Sequence, residues 1–244
     1  MASRSSSTIS DARRNAAPYP PPGTTRGANV AQSAARSGAS ASQANARPTF
    51  SYKTWEGGKM DEVDVTLTTD AEEVQKVLSK MSGSPLGFDL EWEFEMGPDN
   101  KAQTHYPTAL AQVCDETHVL LVHLAKMDSF PDALKELVED RNRIKIGVGI
   151  AGDARKLKND FELNARAMLD LNVLGRKYIP KYFGPGFNGK DFLRSLKTLT
   201  GTYLKCDLPK EMSIRAGQWA GELNEQQIEC KFLLYSLIPL PGIF

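Results

Sequence analysis

Residues 86–93, LGFDLEWE, leave few choices for the fold around them. Leu86, Phe88, Leu90 and Trp92 alternate with Gly87, Asp89, Glu91 and Glu93. An apolar period of two marks a β-strand, because successive side chains point to opposite faces. One face of this strand needs a core. The other carries acids. Asp89 and Glu91 would lie about 6.5–7 Å apart along it, and like charges on one sheet face repel. The pattern alone leaves two readings open. Either the strand is an edge with a wet acidic face, or its acids hold hard divalent cations, which prefer oxygen ligands.

The flanking sequence supplies the rest of a sheet. Residues 62–67 (EVDVTL) alternate like a strand. Residues 70–81 predict a helix, with Asp70 as N-cap and Val74, Val77, Leu78 and Met81 on one face. Residues 108–113 and 118–124 read as strands around a tight Asp-Glu-Thr turn, giving a three-stranded meander with the acidic strand. A short helix over 130–139 has Pro131 near its first turn. Then come a β-branched strand at 144–150, a helix at 152–161 and a strand at 167–171. Helices are expected at 172–182, 190–200 and 224–236. This order describes an α/β protein: a mixed sheet with helices on its faces.

Composition separates a tail from this body. Residues 1–50 hold six arginines, no lysine and one acid, Asp11, and they show no apolar period. A segment so poor in buriable surface is expected to be disordered. Its Arg/Ser-rich character also fits a mitochondrial leader, but the PYPPP run at 18–22 breaks the amphipathic helix a leader needs. The whole chain has 244 residues and no formal net charge, so the rest is slightly acidic and any nucleic-acid contact should be local. Three cysteines without close pairing argue against a disulfide scaffold and a zinc site. No apolar run is long enough for a membrane span.

A second acid follows a glycine-rich turn. In IKIGVGIAGDARKL a buried strand leads through Gly147, Gly149 and Gly152 to Asp153 at a helix start. An acid there suits the helix dipole without further function. Such a turn also lets a ligand approach the backbone closely. Gly147 to Gly152 contains G-x-G-x-x-G, but it sits late in the chain and outside a clean βαβ unit, so a dinucleotide site is not supported.

These segments together resemble the Werner-syndrome-type branch of the DEDD 3'-5' exonucleases, within the ribonuclease H-like fold. FDLEWE, TALAQVCDETHVLLVHL, IKIGVGIAGDARKLKNDF, LDL and the SIR-x-x-x-W stretch (Ser213, Ile214, Arg215, Trp219) occur in the family's order over residues 62–229. The resemblance implies an exonuclease domain over 51–229. Asp89 and Glu91 match the first motif and Asp153 the second, as ligands of two Mg²⁺ or Mn²⁺ ions about 3.5–4 Å apart. The implied substrate is the 3' end of DNA, or of RNA. Leu90 and Trp92 are expected at a terminal-nucleotide pocket. Arg155, Lys156 and Arg215 are expected to contact phosphates. The same resemblance implies a nuclear location, while the Arg/Ser-rich start leaves the mitochondrion open; the sequence shows no helicase motif, so a stand-alone exonuclease domain is expected.

The third motif, Y-x-x-x-D on the last helix, does not fit. Its Tyr position falls on Cys230 and its Asp position on Leu234. Tyr235 is out of register by five residues, and no acid follows Glu229. Leucine offers no oxygen, and a thiol is a soft ligand poorly matched to Mg²⁺. Residues 230–244 (CKFLLYSLIPLPGIF) form an apolar tail whose prolines end the helix early. The expectation is a domain with its last helix incomplete and very low nuclease activity.

Overall fold

The computed structural model describes residues 63–98, 102–178 and 218–229, with residues 195, 198–199, 201 and 205–207. The tail at 1–50, most of the 190–200 helix, Arg215, and the tail from Cys230 lie outside the described residues.

The strands are β1 (Asp64–Thr68), β2 (Leu86–Met96), β3 (Ala102–Cys114), β4 (His118–Val122), β5 (Lys145–Gly147) and β6 (Met168–Asp170). The helices are α1 (Ala71–Lys80), α2 (Asp132–Glu139), α3 (Ala151–Phe161), α4 (Leu171–Tyr178) and α5 (Glu225–Glu229). The strands form one sheet in the order β1-β4-β3-β2-β5-β6. The expected meander is its antiparallel centre, β2-β3-β4. The β1-β4, β2-β5 and β5-β6 pairs are parallel.

Local chemistry accounts for the element ends. Asp70 caps α1 by accepting the Glu72 N–H at 2.9 Å, with Glu72 and Glu73 at the positive end of the helix dipole and Lys80 at the other end. Asp115 accepts the N–H groups of Thr117 (2.9 Å) and His118 (2.8 Å), closing the β3-β4 turn. Helix α3 ends where Glu162 adopts a left-handed conformation, φ 59°.

Two departures from the sequence pattern matter for the site. The β2-β3 hairpin is longer than expected, continuing past Trp92 to Met96 through register shifts at Glu91/Trp92 and Trp92/Phe94. Conversely, the strand expected at 144–150 pairs only over Lys145–Gly147. Glycine explains that stop. A Cβ on Gly147 would lie 2.6 Å from the Phe88 carbonyl oxygen, and Gly149 takes φ +73° as the chain turns into α3.

Both sheet faces are covered. Leu86, Phe88 and Leu90 join Val74, Val77 and Leu78 of α1, Leu134 and Leu137 of α2, and Leu157 and Phe161 of α3 in one core. Ala109, Leu110, Leu121 and Ile146 face Leu171, Leu174 and Trp219 in a second. Removing the fully buried Phe88 ring would cost about 3–5 kcal/mol. No helix among the described residues is long and apolar enough to cross a membrane.

Candidate active site

Strand β5 pairs with β2 only at Leu86 and Gly87, so the β2 edge beyond is open to the start of α3. Asp153 fills it. Its side chain is 5% exposed and accepts a hydrogen bond from the Leu90 backbone N–H, between Asp89 and Glu91. The turn that delivers it is tied down from β6: Asp170 Oδ2 accepts the Gly149 N–H at 2.9 Å, while Oδ1 accepts the Asn172 N–H at 2.8 Å. The LDL segment thus positions the helix that carries Asp153.

Asp89 and Glu91 are half-buried on the adjacent strand. Burial, and next the charge of Asp89, push the Asp153 carboxyl up to about 8; Glu91 adds to this, and the backbone N–H groups oppose it. Asp153 therefore senses both neighbouring acids, Asp89 more than Glu91. Among the described residues, however, no three His, Cys, Asp or Glu side chains are drawn together closely enough to form a ready-made metal cage. An all-carboxylate donor set with mutual repulsion fits a hard divalent cation, which would relieve that repulsion.

Residues 64–235 match a family profile described as 3'-5' exonuclease. The chain belongs to that 3'-5' exonuclease family. The mouse bifunctional 3'-5' exonuclease/ATP-dependent helicase WRN is 30% identical over 159 residues, covering 64% of this chain and 10% of that protein. Human exonuclease 3'-5' domain-containing protein 2 is 31% identical over 174 residues, covering 67% of this chain and 26% of that protein. The chain thus spans only a tenth to about a quarter of these relatives. Escherichia coli RNase D, at 16% identity, shares the fold: TM-score 0.55 over 72% of this chain and 43% of RNase D. The fold is the ribonuclease H-like α/β exonuclease fold. The likeness runs through residue 235, six residues past the Glu229 boundary expected from the motifs, and leaves 236–244 outside it.

The remaining expected residues of this exonuclease domain sit as follows. The Leu90 side chain is 3% exposed in the first core, so what it brings to the site is its backbone N–H rather than a nucleotide-contacting side chain. Trp92 is half-buried, and its indole N–H donates to His105 Nδ1 at 3.2 Å. Arg155 is exposed two residues past Asp153. The Lys156 ammonium is turned inward, donating to Asp160 and to the Tyr106 carbonyl, so its geometry does not favour the phosphate role expected for it.

Sequence reasoning missed three supporting residues. Glu93 continues the acidic row but is buried, and its carboxylate accepts the Ala220 N–H at 2.8 Å. His123 Nε2 lies 2.9 Å from the Trp219 carbonyl. Burial lowers the His123 pKa, so the neutral ring donates here. That carbonyl and the Ala220 N–H belong to one peptide unit, held from within β2 by Glu93 and from just past β4 by His123. The exonuclease domain thereby docks the segment leading to α5 on the acidic side of the sheet. The third residue is Asp160.

Proposed function

We propose that this domain is a metal-dependent 3'-5' exonuclease by descent, with Asp89, Glu91 and Asp153 as ligands for Mg²⁺ or Mn²⁺, acting on DNA 3' ends. The observation that carries the reading is the buried Asp153 carboxylate held against Asp89 and Glu91. When bound, a pair of divalent ions supplies Lewis acidity to the scissile phosphate. The protein's own part is placement. Strand β2 presents Asp89 and Glu91 on one face, the Leu90 N–H orients Asp153, and in this reading the exposed Arg155, two residues on, would contact a phosphate.

The chain as it stands hydrolyses slowly in this reading. Cys230 and Leu234 occupy the positions where the family pattern has Tyr and Asp, and lost general-base and metal-ligand contributions are each worth orders of magnitude in rate. The same observation favours a second reading, a nucleic-acid-binding module that keeps the fold without catalysis. One experiment separates them. The full chain and its Cys230→Tyr/Leu234→Asp variant are incubated with Mg²⁺ and a labelled 3'-recessed DNA duplex, with single-stranded RNA as a parallel substrate. We expect a trace rate from the chain and at least a hundredfold gain in the variant, lost again on Asp153→Asn. Ordinary enzyme rates from the unaltered chain would overturn the slow-enzyme reading. No gain in the variant, with retained DNA binding, would favour the binding module.

A further inference from the structure

A buried polar cluster lies two turns along α3 from Asp153. Asp160 Oδ2 accepts from the Thr108 N–H and the Thr108 hydroxyl, each at 2.7 Å, and from Lys156 Nζ at 2.6 Å. Its Oδ1 accepts from the same ammonium at 2.8 Å. Lys156 also donates to the Tyr106 carbonyl at 2.7 Å and stands 5.6 Å from the centroid of the Trp92 ring. The Lys156 and Asp160 side chains are only 11% and 10% exposed. A charge-assisted cluster at such depth holds its geometry more tightly than a surface ion pair.

What this cluster grips is the irregular part of the hairpin. Thr108 is the β3 partner of Trp92, and the β2-β3 register shifts on both sides of Trp92, immediately after Glu91. A bulge re-aims the side chains beside it. Asp160 holds the β3 side of this step through both the N–H and the hydroxyl of Thr108, while Lys156 backs the Trp92 ring on the β2 side. Asp153 and Asp160 are seven residues apart on one helix, close to two turns, so the same rigid element meets β2 at the acids and the hairpin at the bulge.

We propose that Asp160 and Lys156 form a positioning unit that fixes the step between Glu91 and Trp92 and so sets where the Glu91 carboxylate and the Trp92 indole point. Its consequence for cation binding rests on the reading of Asp89, Glu91 and Asp153 as ligands. Its consequence for the hairpin does not.

The test uses the ¹⁵N-labelled full chain, Asp160→Asn, Thr108→Val, and Val77→Ala as a core-destabilised control on α1, with Mn²⁺ alone as the probe. Spectra are taken well below each melting temperature. Asp160→Asn should move the Trp92 indole and Glu91 amide resonances and raise the Mn²⁺ dissociation constant roughly tenfold. Thr108→Val should move the same resonances less, and it serves alone if Asp160→Asn does not fold. Val77→Ala should do neither. Unmoved Trp92 and Glu91 resonances in a folded Asp160→Asn would overturn the proposal, as would a Mn²⁺ affinity changed no more than in Val77→Ala. If the unaltered chain binds no Mn²⁺, the cation reading fails, and the positioning unit stands or falls on the resonances.

Discussion

Helix α3 carries two inward-facing carboxylates in opposite surroundings. Asp153, at its first turn, meets the like charges of Asp89 and Glu91 and is pushed up to about 8. Asp160, at its last turn, meets an ammonium, a hydroxyl and a backbone N–H. Asp153 is the more deeply buried of the two. The Asp160 carboxylate meets a cation and donors; the Asp153 carboxylate meets two acids as well as backbone N–H groups. Binding sites concentrate carboxylates crowded by like charge, and the surrounding structure must hold them in place.

The largest loss is expected at Asp160. Asp160→Ala strands the Lys156 ammonium and the Thr108 N–H in a nearly dry setting, so it should destabilise the fold by about 3 kcal/mol, read from urea unfolding. A loss below the range of surface pairs would mean water reaches the cluster freely.

At the other end the sign should flip. Asp153→Asn removes a buried charge facing two others, so the metal-free protein should gain about 1–2 kcal/mol at pH 8. Mn²⁺ should then raise the melting temperature of the unaltered chain but not of the variant. Equal stabilisation of both by Mn²⁺ would remove Asp153 from the ligand set.

These two ends were unequally legible in the sequence. The alternation in LGFDLEWE wrote Asp89 and Glu91 onto one face, because a strand's period of two is local. Asp153 was legible from the glycines before it, since a backbone squeezed against the Phe88 carbonyl tolerates no Cβ. The residues bonded to distant parts of the chain were not. Asp160 meets Thr108 across 52 residues, His123 meets Trp219 across 96, and Glu93 meets Ala220 across 127. Nothing local distinguishes Lys156 from a solvated helix lysine except Asp160 one turn on, a spacing equally common on wet faces. The hairpin beyond Trp92 was missed for the same reason, as its pairing comes from β3 and not from its own apolar pattern.

A third buried charge extends the comparison to a cation. Lys145 is fully buried and donates to the carbonyls of Leu137 (2.9 Å) and Asp140 (2.7 Å), closing the C-terminal end of α2. Burial still lowers it to about 8 from 10.5, with Asp140 opposing. The unfolded chain therefore keeps a proton that the folded chain releases between those values, so stability should rise with pH across that window and be flat below it. Lys145→Met should erase about 1–2 kcal/mol of that rise relative to the unaltered chain. The difference between the two chains isolates it from Tyr106, which Glu95 raises to about 12 and which acts in the opposite direction. Parallel pH curves would show that the carbonyls fully replace water around the ammonium.

The smallest effect tests where the acidic row divides. Glu93 shares a face with Asp89 and Glu91, yet its carboxylate is bonded to the Ala220 N–H. Glutamine keeps an acceptor oxygen at the same reach and removes only the charge. Glu93→Gln should therefore cost about 1 kcal/mol or less, the margin between a charge-assisted and a neutral hydrogen bond. Mn²⁺ affinity should not change, because the carboxylate is committed to the backbone. A clear drop in affinity would make Glu93 a further ligand, and the acidic row would then divide between Glu93 and Glu95, whose carboxylate accepts the Tyr106 hydroxyl at 2.6 Å.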